Sequence, residues 1–157
     1  MTVLALLAVQ PAEGRRPSEK KMGAYLFTFF NDPTHSLFMA VSYDGYTFTA
    51  VNDGRPVIAG DSIADQHGIR DPHICRAPNG MFYIAMTDLH VFGKRAGYRT
   101  TQWERPDNYG WGNNRGLVLM RSKDLIHWTH TEVRIDKAFP ELRRTGLCMG
   151  TADHLGS

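Results

Sequence analysis

The segment LFMAVSYDGYTFT at residues 37–49 recurs in altered form as LVLMRSKDLIHWT at residues 117–129. Each copy predicts a strand, a Ser-x-Asp turn and a further strand that carries an aromatic residue, Phe48 in the first copy and Trp128 in the second. In such a unit the aspartate accepts hydrogen bonds from N–H groups of the turn, and the aromatic residue packs against a neighbouring unit. Repeats of roughly 40 to 50 residues built from short strands predict a β-propeller, with a coincidental match of two hairpins as the alternative.

The rest of the chain, from about Gly23 onward, has the same character. AYLFTFF upstream of the first copy resembles FYIAMTD upstream of the second, and both are short runs that favour strands. Asp44-Gly45 between two such runs is a strong hairpin signal. No helical periodicity extends beyond about two turns. We therefore predict an all-β fold of antiparallel meander strands over residues 23–142, amounting to about two blades of a propeller.

Composition limits the possible functions. The 157 residues correspond to one domain, and 42% hydrophobic with 22% charged residues is an ordinary balance for a globular protein. A net charge of +2 is too small to indicate a nucleic-acid partner. Cys75 and Cys148 fall in no metal or redox spacing, which favours two isolated thiols over a disulfide. His127 and His130 are three residues apart on a predicted strand and point to opposite faces, so we predict no structural zinc and no cofactor.

The first 22 residues predict a linker and an ambiguous leader. An apolar stretch runs from Val3 to Val9 without the positively charged start of a secretory signal. Two explanations stay open: a degenerate export signal, which would imply a secreted or periplasmic protein, and a start site wrongly placed upstream of Met22. No later segment approaches the roughly 18 consecutive apolar residues of a membrane span, so we expect no membrane association.

An acid and a proline precede a strand at Asp71 and Pro72. Proline is tolerated on a strand whose edge faces an open channel, because the missing N–H had no partner there. Alternation along the strand predicts that Asp71 shares a face with Ile69, His73 and Cys75. The carboxylate is then placed to meet a ligand, while a turn acid bonded to nearby backbone N–H groups is the alternative.

The ordered set Arg70-Asp71-Pro72, Phe82-Tyr83 and Ser122-Lys123-Asp124-Leu125-x-x-Trp128 resembles glycoside hydrolase family 43. These five-bladed β-propellers cleave arabinose- and xylose-containing polysaccharides, and the resemblance extends from Tyr25 to about Leu142. It implies that Asp71 is the general base of an inverting hydrolysis, which also needs an acid carboxyl group about 6.5–9.5 Å away. Asn31-Asp32-Pro33 is similar to a motif of the related fructan-cleaving propellers, so Asp32 is the second candidate base, although a plain turn is favoured there.

The connection between Val91 and Arg115 is the most aromatic part of the chain. Sugar rings stack on aromatic faces, and Trp111 between two glycines is our candidate for such a contact. A loop that packs on its own aromatic residues is an equal alternative. Asp88, at the end of a predicted strand, is a second candidate for substrate binding, although capping of a turn is favoured.

The chain also departs from the family pattern. Five blades need roughly 280 residues, and the family's second aspartate and acidic glutamate come from later blades. Residues 143–157 show no blade-like pattern, which predicts an irregular tail, truncated or out of frame. We therefore expect weak or absent hydrolysis, and self-association through uncovered sheet faces. A non-catalytic carbohydrate-binding or interaction module is the alternative function, and a β-sandwich unrelated to sugars is a third possibility.

Overall fold

A computed structural model of the chain describes residues 23–93, 95–98 and 116–140. Seven strands form two antiparallel sheets with the orders β1-β2-β3 and β4-β5-β6-β7. The elements are β1 (Tyr25–Phe29), β2 (Phe38–Ser42), β3 (Thr49–Ala50), β4 (Ile69–Arg76), β5 (Phe82–Asp88), β6 (Gly116–Ser122), β7 (Trp128–Arg134) and the one-turn helix α1 (Ile135–Ala138). The predicted all-β fold with two blade-like sheets of a partial propeller is confirmed.

The repeat seen in the sequence is a structural repeat. Ser42 of β2 pairs with Tyr25 of β1, and Ser122 of β6 pairs with Phe82 of β5. The unit β1-β2-β3 therefore corresponds to β5-β6-β7, and β4 has no counterpart among the described residues of the first sheet. The Arg-Asp-Pro motif lies on this additional strand, at the start of the second sheet in chain order.

The turn after β2 is closed by two side chains. The Asp44 carboxylate accepts hydrogen bonds from the backbone N–H groups of Tyr46 and Thr47, each at 2.8 Å, and from the Ser42 hydroxyl at 2.7 Å. The Ser42 oxygen in turn accepts the N–H of Gly45 at 2.8 Å. These bonds satisfy backbone donors that the tight turn leaves outside the strand ladder.

The turn after β6 repeats this geometry. Asp124 accepts the backbone N–H groups of Ile126 and His127 at 2.9 and 2.8 Å, and Ser122 accepts that of Leu125 at 2.9 Å. The predicted capping role of the aspartate is confirmed in both copies.

The hydrophobic core lies between the two sheets. Leu37, just before β2, and Met39 on β2 meet Ile84, Met86 and Val118 from the second sheet, and all five are at least 97% buried. Side chains of this size each contribute about 1.5–3 kcal/mol when fully buried. This contact therefore joins the two units into one folded body.

Each sheet has a second face that is only partly covered. Phe27 on the first sheet is 52% exposed and Phe48 is 41% exposed, while Tyr83 and Leu119 on the second sheet are 37% and 40% exposed. The rings of Phe27 and Phe48 contact each other edge to face at 5.8 Å. The expected uncovered sheet faces are thus present in the described residues.

A β-bulge interrupts β4. Arg70 pairs with Thr87, and the next regular pair is His73 with Ala85. Between these pairs β4 advances by three residues while β5 advances by two. The extra residue shifts the alternation of side chains by one position. Asp71 lies within the bulge and has a φ of +51°.

Because of the bulge, the prediction that Asp71 shares a face of β4 with Ile69 is wrong. Ile69 is fully buried and Ile74 packs against the core, whereas Asp71, His73 and Cys75 are exposed. Ile69 therefore does not share a face with Asp71, because one inserted residue moves all later side chains to the other face of the sheet.

Two further observations concern the cysteines and the prediction of no membrane association. Cys75 is an exposed free thiol, and Cys148 lies outside the described residues. Across the ranges that the structure describes, no helix has the length and apolar character required to cross a bilayer.

Candidate functional site

Asp71 is placed at the entrance of β4 in an unusual backbone conformation. Its side chain is exposed, and its carboxylate makes no hydrogen bond or ion pair with the described residues. The turn-type hydrogen bonds of the alternative explanation are thus not formed in this part of the chain. A non-glycine residue at positive φ costs roughly 1–2 kcal/mol. Strain of this kind is concentrated at functional sites, which makes Asp71 a candidate for chemistry.

The bulge is anchored to the first sheet. The Thr28 hydroxyl on β1 donates a hydrogen bond of 3.2 Å to the backbone carbonyl of Pro72. Pro72 has no N–H to offer, so its carbonyl is the one backbone group that it can pair. The contact joins the two sheets directly beside Asp71.

Arg70 turns away from Asp71 and forms an ion pair with Asp32. Its guanidinium Nη1 lies 2.6 Å from Oδ1 of Asp32, and its Cζ lies 4.3 Å from the centre of the Phe30 ring. The Arg70 side chain is only 10% exposed, whereas that of Asp32 is 60% exposed. A buried cation therefore holds a solvent-facing carboxylate in a defined position.

The turn that carries Asp32 is capped by another residue. The Asn31 side chain accepts both the backbone N–H and the hydroxyl of Thr34, at 3.1 and 2.6 Å. The Asp32 carboxylate is therefore not needed to close the turn. The sequence made Asp32 the second candidate base and favoured a plain turn there. Its ion pair with Arg70, 38 residues away in the chain, was not predicted.

His35 connects the two sheets behind this pair. It is fully buried, its carbonyl accepts the Ile69 N–H at 2.8 Å, and its Nε2 accepts the Val91 N–H at 3.3 Å. Burial, followed by the neighbouring His90 and Arg70, lowers the pKa of His35 to about 4. The ring is therefore neutral at pH 7, as its role as an acceptor requires.

A pocket of about 460 Å³ opens beside His90, whose ring stacks on that of His35 at 4.0 Å. One wall comes from the β1–β2 connection and the other from the β5–β6 connection. The lining residues are Asp32, Pro33, His90, Phe92, Arg95, Ala96 and Tyr98. Because the two connections are equivalent in the repeat, corresponding loops of the two units build opposite walls of one pocket.

Asp88 is 1% exposed at the end of β5. Its Oδ1 accepts the backbone N–H of Gln66 at 2.9 Å, and its own carbonyl accepts the Gln66 side-chain amide at 2.9 Å. Burial is the main cause that raises the pKa of Asp88 to about 6, while the Gln66 hydrogen bond opposes it. The carboxyl group holds the β3–β4 connection in place, and its contact with a substrate stays a prediction.

The remaining predicted site residue, Trp111, lies outside the described residues. In the described part of the chain, no group of three or more His, Cys, Asp or Glu side chains is arranged to hold a metal ion.

Comparison with known proteins gives one result. A family model described as "Probable glycosyl hydrolase domain", and related by its name to glycoside hydrolase family 43, matches residues 20–143. The match includes both sheets, the β4 bulge and both walls of the pocket. Neither a curated protein nor a solved structure matches the chain significantly.

Proposed function

Because the chain belongs to the family of probable glycosyl hydrolase domains related to glycoside hydrolase family 43, we propose that it hydrolyses O-glycosidic bonds of arabinan- or xylan-like polysaccharides with inversion. The observation that carries the proposal is the exposed Asp71 carboxylate at a strained bulge of β4. Side chains on such a bulge are aimed by the backbone, and bulges are over-represented next to active sites.

The proposed mechanism assigns Asp71 the role of general base. Its carboxylate takes a proton from a water molecule while the water oxygen attacks the anomeric carbon. A carboxylic acid on the other side of the sugar gives its proton to the departing glycosidic oxygen, so that the anomeric configuration is inverted. Both proton transfers occur in one transition state, and the sequence offers no match to the family's acidic glutamate. We therefore propose that turnover by this polypeptide is weak.

Hydrolysis of nitrophenyl arabinofuranoside and nitrophenyl xyloside tests the assignment. Asp71→Asn should lower turnover by about 10²-fold or more, since positioned general bases contribute about 10²–10⁴-fold. Asp53→Asn is the matched control, because Asp53 is also exposed and has a φ of +53°. Equal turnover in both variants would contradict the role of Asp71, and a product of retained configuration, detected by NMR, would contradict inversion.

A non-catalytic carbohydrate-binding module is the second candidate function, favoured by the open pocket with aromatic walls. A pull-down on arabinan and xylan distinguishes the two. Binding without turnover, unchanged in Asp71→Asn, would support the module. Turnover abolished in Asp71→Asn would support the hydrolase.

The register of the repeat supports a proposal of self-association. Phe27 corresponds to Ile84, which is 1% exposed because the first sheet covers it, yet Phe27 itself is 52% exposed. Tyr83 and Leu119 correspond to Leu26 and Met39, which pack on the core. The outer faces of the two sheets therefore carry the same register positions as the two faces that meet in the core. The outer face of the first sheet in one copy can dock on the outer face of the second sheet in another copy, in a head-to-tail arrangement.

Sedimentation velocity tests this contact. Phe27→Lys should shift the chain toward the monomer, while Tyr46→Lys, at a 91% exposed turn position, should not. A contact with a Kd of about 1 μM corresponds to about 8 kcal/mol of binding free energy and would hold most chains together at about 100 μM. A wild-type chain that stays monomeric at that concentration would contradict the proposal.

A further inference from the structure

The pocket between the β1–β2 and β5–β6 connections has the composition of a small-molecule site. Its volume of about 460 Å³ lies within the range of roughly 300–1,000 Å³ that ligand pockets occupy. It contains one carboxylate, one guanidinium and three aromatic or imidazole rings among its lining residues. One of its lining residues, Asp32, is bound by Arg70 from the start of β4.

Asp32 provides a fixed acceptor in this pocket. Oδ1 binds the buried Arg70, and Oδ2 accepts no hydrogen bond from the described residues. The stacking of Arg70 on Phe30 and its proximity to His35 Nε2, at 3.5 Å, restrict the guanidinium and hence the carboxylate. Such preorganisation reduces the entropy that a ligand must remove when it binds.

Arg95 provides a donor from the β5–β6 connection, whereas Asp32 belongs to the β1–β2 connection. Its guanidinium lies 4.7 Å from the centre of the Phe92 ring, and the described residues offer it no ion pair. A carboxylate and a guanidinium across one pocket suit a ligand that both donates and accepts hydrogen bonds. A vicinal diol does so, whereas an anionic group would meet the negative charge of Asp32.

Tyr98 provides apolar surface with a polar tip. Its ring packs against His67 at 4.8 Å and against His90 at 5.3 Å, while half of the residue stays exposed. A held aromatic side chain of this kind buries the C–H surface of a ligand at little entropic cost.

We propose that this pocket binds one unit of a neutral sugar chain, with vicinal hydroxyls donating to Asp32, a ring or hydroxyl oxygen accepting from Arg95, and Tyr98 covering the apolar face. The choice of a carbohydrate ligand rests on the proposed function. Asp71, to which the proposed function assigns the activation of water, is not among the described residues that line the pocket.

Isothermal titration with xylotriose and arabinotriose tests the site. Arg95→Gln and Tyr98→Ala should each weaken binding by about tenfold or more, which corresponds to about 1.4 kcal/mol. Asp32→Asn should have a similar effect, and its thermal unfolding identifies any loss that comes from disturbing Arg70. The matched controls are Asp53→Asn and Arg55→Gln, because this exposed pair, at 3.3 Å, has the same chemistry away from the pocket.

The outcomes separate this inference from the hydrolase proposal. Binding within twofold of wild type in Asp71→Asn, together with loss in Arg95→Gln and Tyr98→Ala, would support the pocket whatever the turnover. Unchanged affinity in both pocket variants would overturn it even if Asp71→Asn abolishes hydrolysis. Tighter binding of glucuronate than of methyl xyloside would also overturn the choice of a neutral ligand.

Discussion

The two units of the repeat share a turn but differ in the residue at its left-handed position. Gly45 has a φ of +78° in the first turn, and Leu125 has a φ of +66° at the same place in the second. Glycine reaches this region freely, whereas leucine does so at a cost. The Ser and Asp side chains nevertheless close both turns in the same way. The side-chain hydrogen bonds of Ser and Asp therefore set the turn, and glycine only lowers the strain of its left-handed position.

The units differ most in what surrounds β1 and β5. The second unit has the additional strand β4 and a long β5–β6 connection, and both carry candidate functional residues. Asp71 lies on β4, and His90, Arg95 and Tyr98 lie on the connection. The shared strands and turns hold the fold together, whereas most of the candidate functional residues lie on the parts that the second unit adds, and Asp32 comes from the first unit.

The largest expected effect comes from breaking the junction between the units at Gly60. A β-carbon on Gly60 would overlap the backbone oxygen of His35, which also accepts the Ile69 N–H. We expect Gly60→Ala to lower the free energy of unfolding by about 3 kcal/mol or more, measured by urea denaturation. Gly23→Ala, with open space around the position, is the control, and equal stability of the two variants would contradict the packing described here.

The next effect concerns Asp88, whose register-equivalent position in the first unit is Asn31. The pKa of Asp88 is raised to about 6, mainly by burial, so its ionisation lowers the stability of the folded state. This loss develops between the unfolded pKa of about 4 and pH 6 and is complete at pH 7. Asp88→Asn keeps an acceptor for Gln66 and should raise the free energy of unfolding at pH 7 by about 2 kcal/mol. The gain should shrink as the pH falls through 6 and vanish below about 4. A gain that is constant from pH 4 to 8 would exclude this cause.

A smaller effect is expected at the left-handed turn position. Leu125→Gly makes the second turn like the first and should raise the free energy of unfolding by up to about 1 kcal/mol, offset in part by the greater freedom of the unfolded chain. The reverse change, Gly45→Leu, should be destabilising, since a β-carbon there approaches the Tyr25 ring at 3.3 Å. Thermal unfolding measures both. If Leu125→Gly is clearly destabilising, packing of the leucine side chain outweighs its backbone strain.

The smallest effect distinguishes the two turn carboxylates. The pKa of Asp124 is lowered first by the His127 side chain, whereas that of Asp44 is lowered first by the Thr47 backbone N–H. His127→Thr gives the second turn the residue of the first, and NMR titration should show the pKa of Asp124 rising while staying below its usual range. Both carboxylates contribute stability above the unfolded pKa that is lost as the pH falls below about 4. No rise in His127→Thr would contradict the imidazole contact.

The turns show how much of the fold could be predicted. Ser42 and Asp44 act on N–H groups within three residues, so local spacing identified both turns and the repeat of which they are part. The face of Asp71 could not be predicted, because the bulge depends on how β4 pairs with β5. The role of Asp32 was missed for the same reason, since its partner lies 38 residues away in the chain.

The all-β class and the two repeated units could be predicted from the amino-acid sequence, because short-range hydrogen bonds and side-chain alternation express these features within a few residues. The family was indicated by the order of its motifs along the chain. The coverage of the sheet faces, the face on which Asp71 lies and the contact between Asp32 and Arg70 could not be predicted and emerged from the packing of the strands. These features depend on contacts between residues that are far apart in the chain. Strand pairing sets the register of each strand and sheet packing sets which side chains are buried, and neither can be read from a short segment.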